Sequence, residues 1–145
     1  RDAVPIDDVN SADRIALGDT PVHDGLVSGR TVYFTCVNGQ VVKHDLESRT
    51  TESHDLTKLN QVPDRPLGWC RGVLPSKQGV WVGFSRIRPT KFRENLSWIR
   101  RGFRQTSQLP SRISLYSHDF SQLKREVVLE EFGMGVVFSV HVTPS

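Results

Sequence analysis

A glycine followed by two aliphatic residues occurs three times along the chain, and this recurrence restricts the fold more than any other feature. The three copies are Gly25-Leu26-Val27, Gly72-Val73-Leu74 and Gly135-Val136-Val137. The first two copies are each followed by a polar turn, at 28–30 and 76–79, and then by a strand-like segment, TVYFTCV or VWVGFS. Short apolar strands separated by polar turns predict an all-β chain.

The segments that come next extend the pattern to a third strand. QVVKHDLES (40–48) and RISLYSHDFS (112–121) both end in His-Asp and an apolar residue, so that His44 corresponds to His118. The first two glycines are 47 residues apart, close to the about 40–50 residues of a propeller blade. The second and third are 63 residues apart, and the additional residues fall between GFSRIR and SRISLY.

These segments, HDG…VYFTCVNGQVVKHDLES and GWCRGV…GVWVGFSRIR…PSRISLYSHDF, resemble blades of β-propeller proteins. They are similar to an uncharacterised bacterial propeller group in which Trp-x-Arg-Gly opens one blade and Gly-Phe-Ser-Arg closes its second strand. The resemblance implies one all-β domain over 1–145 with about two and a half blades: repeats at about 20–66 and 67–131 and a third begun at about 132. A closed ring usually takes about four to eight blades. The chain is therefore expected to belong to a longer protein or to self-associate, with a small closed β-barrel as the alternative fold.

A basic insert at about 86–111 separates two strands of the second repeat. Phe92, Leu96, Ile99 and Phe103 recur at helical spacing, which predicts a short amphipathic helix or an irregular loop. The segment from Arg86 to Arg112 contains eight basic residues and one acidic residue, while the whole chain has a net charge of +3. The predicted anion-binding residues are Arg88, Arg93, Arg100, Arg101 and Arg104. The modest total charge disfavours nucleic acid as the partner, and a solvated helix whose arginines pair with acids elsewhere remains the alternative.

The residues before each blade-like repeat are the second candidate site. In a propeller, residues before the innermost strand line the mouth of the central channel, so we expect His23, Asp24, Trp69 and Arg71 to form a ligand-binding site. A tryptophan offers stacking and an arginine offers a fork for a carboxylate or phosphate. His23 and Asp24 would orient the ligand.

Cys70 lies among these residues, either as a nucleophile or as a small side chain in a crowded strand. A nucleophilic cysteine needs a base, and His23 is the partner suggested by position. Packing is the favoured interpretation. No His-x-x-x-His or Cys-x-x-Cys spacing indicates zinc, so neither a metal nor a cofactor is expected.

Composition indicates the class and location of the protein. Apolar residues make up 37% and charged residues 24% of the chain, which is typical of a globular domain. No apolar run approaches the about 18 residues of a membrane span, and residues 1–20 lack a secretory apolar core. Cys36 and Cys70 are expected to be buried thiols. Together these features predict a cytoplasmic location without a transmembrane segment.

The leading functional hypothesis is a binding domain for a small anionic ligand or a protein partner at the mouth, with the basic insert as a flap beside it. The alternatives are a propeller hydrolase or lactonase-like enzyme, with or without a metal, that uses Asp24 or His23 as base, and a structural module that pairs through edge strands.

Overall fold

The structure is a computed structural model that describes residues 2–3, 14–17, 21–59, 66–87 and 109–142. It contains two four-stranded antiparallel sheets, in each of which every strand pairs with the next one along the chain. A small ribbon of β1 (Asp2–Ala3) and β2 (Ile15–Ala16) accompanies them. The five arginines predicted to bind anions, and the helix predicted around them, lie outside the described residues.

Sheet 1 is formed by the first meander of strands. Its strands are β3 (Val22–Ser28), β4 (Thr31–Cys36), β5 (Gln40–Asp45) and β6 (Thr51–Asp55), followed by a 3-10 helix, Leu56–Leu59. Gly29 and Gly39 occupy the turns with φ of 58° and 85°, a conformation that side chains disfavour. Asp45 closes the third turn because its Oδ1 accepts the N–H groups of Glu47 and Ser48 at 3.0 and 2.9 Å.

Sheet 2 repeats this strand order. Its strands are β7 (Trp69–Ser76), β8 (Gly79–Ser85), β9 (Arg112–Tyr116) and β10 (Leu123–Val128), followed by a 3-10 helix, Glu130–Phe132. The apolar and aromatic segments of β8 and β9 are buried on both faces, as strands are when each face of a sheet is covered.

The two sheets stack on one another, and β7, the first strand of sheet 2, contacts β3 and β4 of sheet 1. The core between them consists of Tyr33, Val41, Leu56, Leu67, Cys70, Val73, Val80, Val82, Phe84, Tyr116 and Phe120. The opposite face of sheet 1, here called its outer face, carries a second cluster of Leu17, Val32, Phe34, Cys36 and Val42. Ala3, Ile15 and Val22 pack against that second cluster.

The predicted all-β class is therefore confirmed for the described part of the chain, where no α-helix occurs. The alternative of a small closed barrel is wrong. Sheet 1 ends at β3 and β6, and sheet 2 ends at β7 and β10, so neither sheet closes on itself. The core lies between two stacked sheets and not inside a cylinder.

Strand register corrects the residue correspondence that the glycines suggested. Counted from the matching hairpin turns, Gly25 corresponds to Val73 and not to Gly72, because Gly72 is the extra residue of a bulge in β7. Beyond this bulge the alignment on the glycines holds again, because Asp24 and Arg71 pair with matching positions of the second strands. The extra residue of the bulge in β3 is His23.

The His-Asp correspondence is displaced as well. Val32 and Val80 occupy matching positions beside the two hairpin turns, and they pair with His44 and Tyr116. His44 therefore matches Tyr116 and not His118. His118 lies in the turn after β9, outside any strand.

A buried arginine holds three parts of sheet 2 together. Arg112 is 2% exposed, and its Nη1 donates to the carbonyl oxygens of Leu67 at 2.7 Å and Pro110 at 3.2 Å. Its Nε donates to Glu126 Oε2 at 2.9 Å, and its guanidinium lies 4.6 Å from the ring centroid of Phe84. Paired in this way, a buried cation is tolerated, because the partners replace the water it has lost.

The segment after β10, residues 132–142, is here called the strap. The apolar sequence GVVFSV predicts a strand at 135–140, and this prediction is wrong, since the strap forms no strand. Instead it crosses the face of sheet 2 that points away from sheet 1. Ser111 Oγ donates to the Gly135 carbonyl at 2.7 Å, and Ser85 Oγ contacts both N (2.8 Å) and O (2.9 Å) of Val137. One serine hydroxyl thus satisfies backbone groups that a neighbouring strand would otherwise bind.

Candidate functional site

The four residues predicted to line a ligand site lie where β3 and β7 begin. His23 and Asp24 belong to β3, Trp69 and Arg71 belong to β7, and the two strands contact each other. His23 is exposed, and the other three are half-buried. We call this region the mouth. The bulge in each strand lies here, and bulges turn side chains away from the regular alternation of a strand.

His23, Asp24 and Arg71 share one electrostatic environment. Partial desolvation of the exposed His23 ring by its neighbours lowers its pKa below the ordinary value of 6.5, the nearby charge of Arg71 lowers it further, and Asp24 opposes the shift. Asp24 Oδ1 accepts the N–H of Gly25 at 2.9 Å. The structure thus brings Arg71 close to His23 and Asp24, from which it is distant in the sequence, and the neutral form of His23 is favoured.

Arg71 carries the least satisfied group of the mouth. Its Nε is buried and has no hydrogen-bond partner among the described residues. Its guanidinium carbon lies 5.8 Å from the ring centroid of Phe138 in the strap, within the range of a cation–π contact. Buried polar groups nearly always find a partner, so an unpaired donor calls for an explanation.

Phe138 reaches the mouth because small residues let the strap approach sheet 2. A Cβ atom at Gly83 would lie 2.5 Å from Cγ1 of Val137, and one at Gly72 would lie 3.0 Å from the backbone of Ser139. Sequence reasoning missed Phe138, since its segment reads as a strand of a further repeat. Its proximity to Arg71 depends on contacts between distant parts of the chain.

Cys70 has the properties of a packing residue. Its side chain is fully buried between the sheets, and burial raises the pKa of its thiol far above the ordinary value. The backbone N–H of Cys36 donates to it. Burial also raises the pKa of Cys36 to about 11. Neither thiol is therefore activated as a nucleophile at neutral pH.

A disulfide between the two cysteines is not indicated. Cys70 belongs to the core between the sheets, whereas Cys36 belongs to the cluster on the outer face of sheet 1. The two thiols are both free, and the β4 backbone lies between the two clusters.

The basic insert leaves and re-enters sheet 2 at the mouth. β8 ends at Ser85, which pairs with Trp69, and β9 begins at Arg112, which pairs with Phe84. Both attachment points therefore lie at the end of the sheet that carries Trp69 and Arg71. The predicted anion-binding arginines themselves fall outside the described residues.

Metal-binding clusters and membrane-spanning helices are absent from the described residues. These residues contain no group of three or more His, Cys, Asp or Glu side chains that could hold a metal ion. No helix in these parts of the chain is long and apolar enough to cross a membrane.

Comparison with known proteins adds no assignment. No family model, curated protein or solved structure matches this chain. The resemblance to β-propeller blades stays a prediction, and any functional conclusion has to rest on the geometry of the mouth.

Proposed function

We propose that this chain is a β-propeller-type binding domain that holds a small anion, a carboxylate or a phosphate, at the mouth. Two features support the propeller part of the proposal. Both sheets are four-stranded meanders in which consecutive strands are neighbours, and their first strands pack side by side. Blades around a propeller channel have this arrangement.

The unpaired Nε of Arg71 is the observation that carries the anion part. A guanidinium group offers several N–H donors in a planar fork that matches a carboxylate or a phosphate. Phe138 covers one face of the fork, so an anion would approach along its edge. A half-buried position strengthens such a bond, because less water competes for the donors.

The neighbours of Arg71 give the site its selectivity. His23, held toward the neutral form, offers a ring nitrogen without adding a second fixed charge. Asp24 disfavours bulky polyanions because its carboxylate lies beside the site. Trp69 is half-buried at the start of β7 and offers an apolar surface to the body of the ligand. The basic insert, whose sequence is rich in arginine, is attached to sheet 2 at the same end.

The rival functions find less support. The fully buried Cys70 and the satisfied Asp24 Oδ1 give no specific sign of a hydrolase. Pairing through edge strands is disfavoured, since the outer edge strand β10 presents Lys124, Arg125 and Glu126. Two free buried thiols favour a reducing compartment such as the cytoplasm.

The test is calorimetric titration with inorganic phosphate and with acetate. We expect the wild type to bind at least one of them and Arg71→Gln to lose about tenfold or more in affinity, since a charged hydrogen bond contributes about 1.5–3 kcal/mol. The affinity of Arg71→Lys should lie between those of the wild type and Arg71→Gln, because lysine keeps the charge and loses the planar fork of donors. Arg30→Gln is the matched control: Arg30 is exposed and pairs with Asp45 and Glu47 in a turn. Equal binding by Arg71→Gln and the wild type, or no binding by the wild type, would contradict the proposal.

A further inference from the structure

Large hydrophobic side chains that are exposed lie in two places in the described residues. Those that are large and between 48% and 76% exposed are Val27, Leu46, Phe132, Met134, Phe138 and Val142. The first two flank the outer face of sheet 1, and the other four belong to the strap. Apolar side chains gathered in this way mark contact surfaces more often than single scattered ones do.

The first place is a groove on the outer face of sheet 1, with a volume of about 790 Å³. Its floor includes Gly25, Val32 and Phe34, and Val27 and Leu46 also line it. The ribbon of β1 and β2 contributes Ala3 and Ile15 to its wall, and Arg14 and Arg49 add positive charge. We call it the sheet 1 groove.

The second place is the strap. It lies on the face of sheet 2 that points away from sheet 1, held there by Ser85 and Ser111. Its exposed apolar residues follow Glu131, an exposed acid. The strap and the sheet 1 groove therefore lie at opposite ends of a two-sheet stack, where they cannot meet within one copy of the chain.

Strand register shows that the outer face of sheet 1 corresponds to the face of sheet 2 that packs on sheet 1. Val32 on β4 matches Val80 on β8, and Phe34 matches Val82. In sheet 2 this set of side chains is fully buried against sheet 1. In sheet 1 the matching set faces the groove. The face of sheet 1 that packs on sheet 2 likewise matches the face of sheet 2 that carries the strap.

We propose that two copies of this chain associate head to tail, with the strap of one copy seated in the sheet 1 groove of the next. The contact would continue between copies the order in which sheets 1 and 2 follow each other within one copy, with the strap lying between the two sheets. Apolar side chains meet on both sides, and Glu131 beside the strap faces the positive charge of Arg14 and Arg49. Such a contact joins two different surfaces, so it leads to rings or open stacks and not to an isologous dimer.

Sedimentation from micromolar to millimolar concentration, combined with two double variants, tests this proposal. Val27→Asp/Leu46→Asp removes the groove surface, and Met134→Asp/Val142→Asp removes the strap surface while leaving Phe138 beside Arg71. The wild type should self-associate, and each variant alone should sediment as a monomer. An equimolar mixture should yield a complex of two chains and no more, because each variant keeps one working surface.

Three outcomes would overturn it. A wild type that stays monomeric over the whole range would exclude the contact. Variants that form no complex when mixed would exclude the head-to-tail geometry, as would a variant that still associates with itself. Circular dichroism confirms that the variants fold, and the single changes Leu46→Asp and Val142→Asp serve if a double variant does not. Phosphate titration of the strap variant keeps this result separate from the anion proposal, since Arg71, His23 and Phe138 are unchanged.

Discussion

Sheets 1 and 2 have the same strand order but are stabilised by different side chains. The third strand begins with Gln40 in sheet 1 and with the buried Arg112 in sheet 2. Sheet 2 relies on a cation that binds two carbonyl oxygens and a carboxylate. Sheet 1 has apolar clusters on both faces instead. The same strand order can thus be stabilised by a buried, hydrogen-bonded cation or by apolar packing alone.

The faces of the two sheets that point away from each other are also covered differently. Sheet 2 is covered there by the strap, which depends on Gly83 and on two serine hydroxyls. Sheet 1 has the groove, lined by Val32 and Phe34. A segment without strand structure can thus cover the face of a sheet when side chains of that sheet bind its backbone.

The largest expected effect concerns Arg112. Arg112→Ala should lower the free energy of unfolding by about 3 kcal/mol, because it leaves buried carbonyl groups unpaired and opens a cavity. Gln40→Ala, at the matching position of sheet 1, should cost less than about 1 kcal/mol. Urea unfolding curves of both variants give the comparison. Similar losses at the two positions would show that the sheets are not stabilised differently.

A smaller effect is expected at Ser85. Ser85→Ala removes the hydroxyl that binds both backbone groups of Val137 and should cost about 1–2 kcal/mol. The loss should be local, so hydrogen exchange at the Val137 amide should become faster while exchange in sheet 1 is unchanged. Ser53→Ala, on the exposed part of β6, is the control. Unchanged exchange at Val137 would mean that the strap is held by other contacts.

The smallest effect is a pH dependence at the contact between the sheets. The ring of His54 in β6 lies 4.9 Å from that of Phe120 in the turn between β9 and β10. Burial lowers the pKa of His54 below 6.5, Lys43 lowers it further, and Glu52 and Asp119 oppose the shift. The unfolded chain therefore binds the proton more readily, so stability is fully present above pH 6.5 and declines as the pH falls toward the folded pKa.

His54→Gln should reduce this decline between about pH 7.5 and about pH 5.5. Part of it should remain, because the pKa of His23 is shifted in the same direction. Chemical denaturation at a series of pH values measures the slope. A slope identical to that of the wild type would show that His54 is solvated like a histidine in the unfolded chain.

Sequence predicted the apolar strands better than the polar ones. β4, β5, β8 and β9 follow from short apolar runs between turns. The fourth strand of each sheet, β6 or β10, has no apolar alternation. It forms because the backbone N–H and C=O groups along the edge of the apolar third strand bind it. The segment 135–140 shows the converse, since its apolar character favours a strand but its backbone binds serine side chains.

The mouth shows a similar division. That His23, Asp24, Trp69 and Arg71 lie close together could be predicted because they start repeated strands, whereas ligand binding by them stays a prediction. The mismatch between Gly25 and Gly72 could not be predicted, since the bulges at His23 and Gly72 leave no mark in the sequence. The contact of Phe138 with Arg71 also could not, because it depends on how a distant segment crosses the sheet.

The polar outer edge strands have a consequence for misassembly. In amyloid fibrils, identical strands stack about 4.8 Å apart through their open edges. Stacking β10 on itself in register would place Lys124 on Lys124 and Arg125 on Arg125, and each added chain would increase the repulsion. Growth of a cross-β fibril from this edge is therefore opposed.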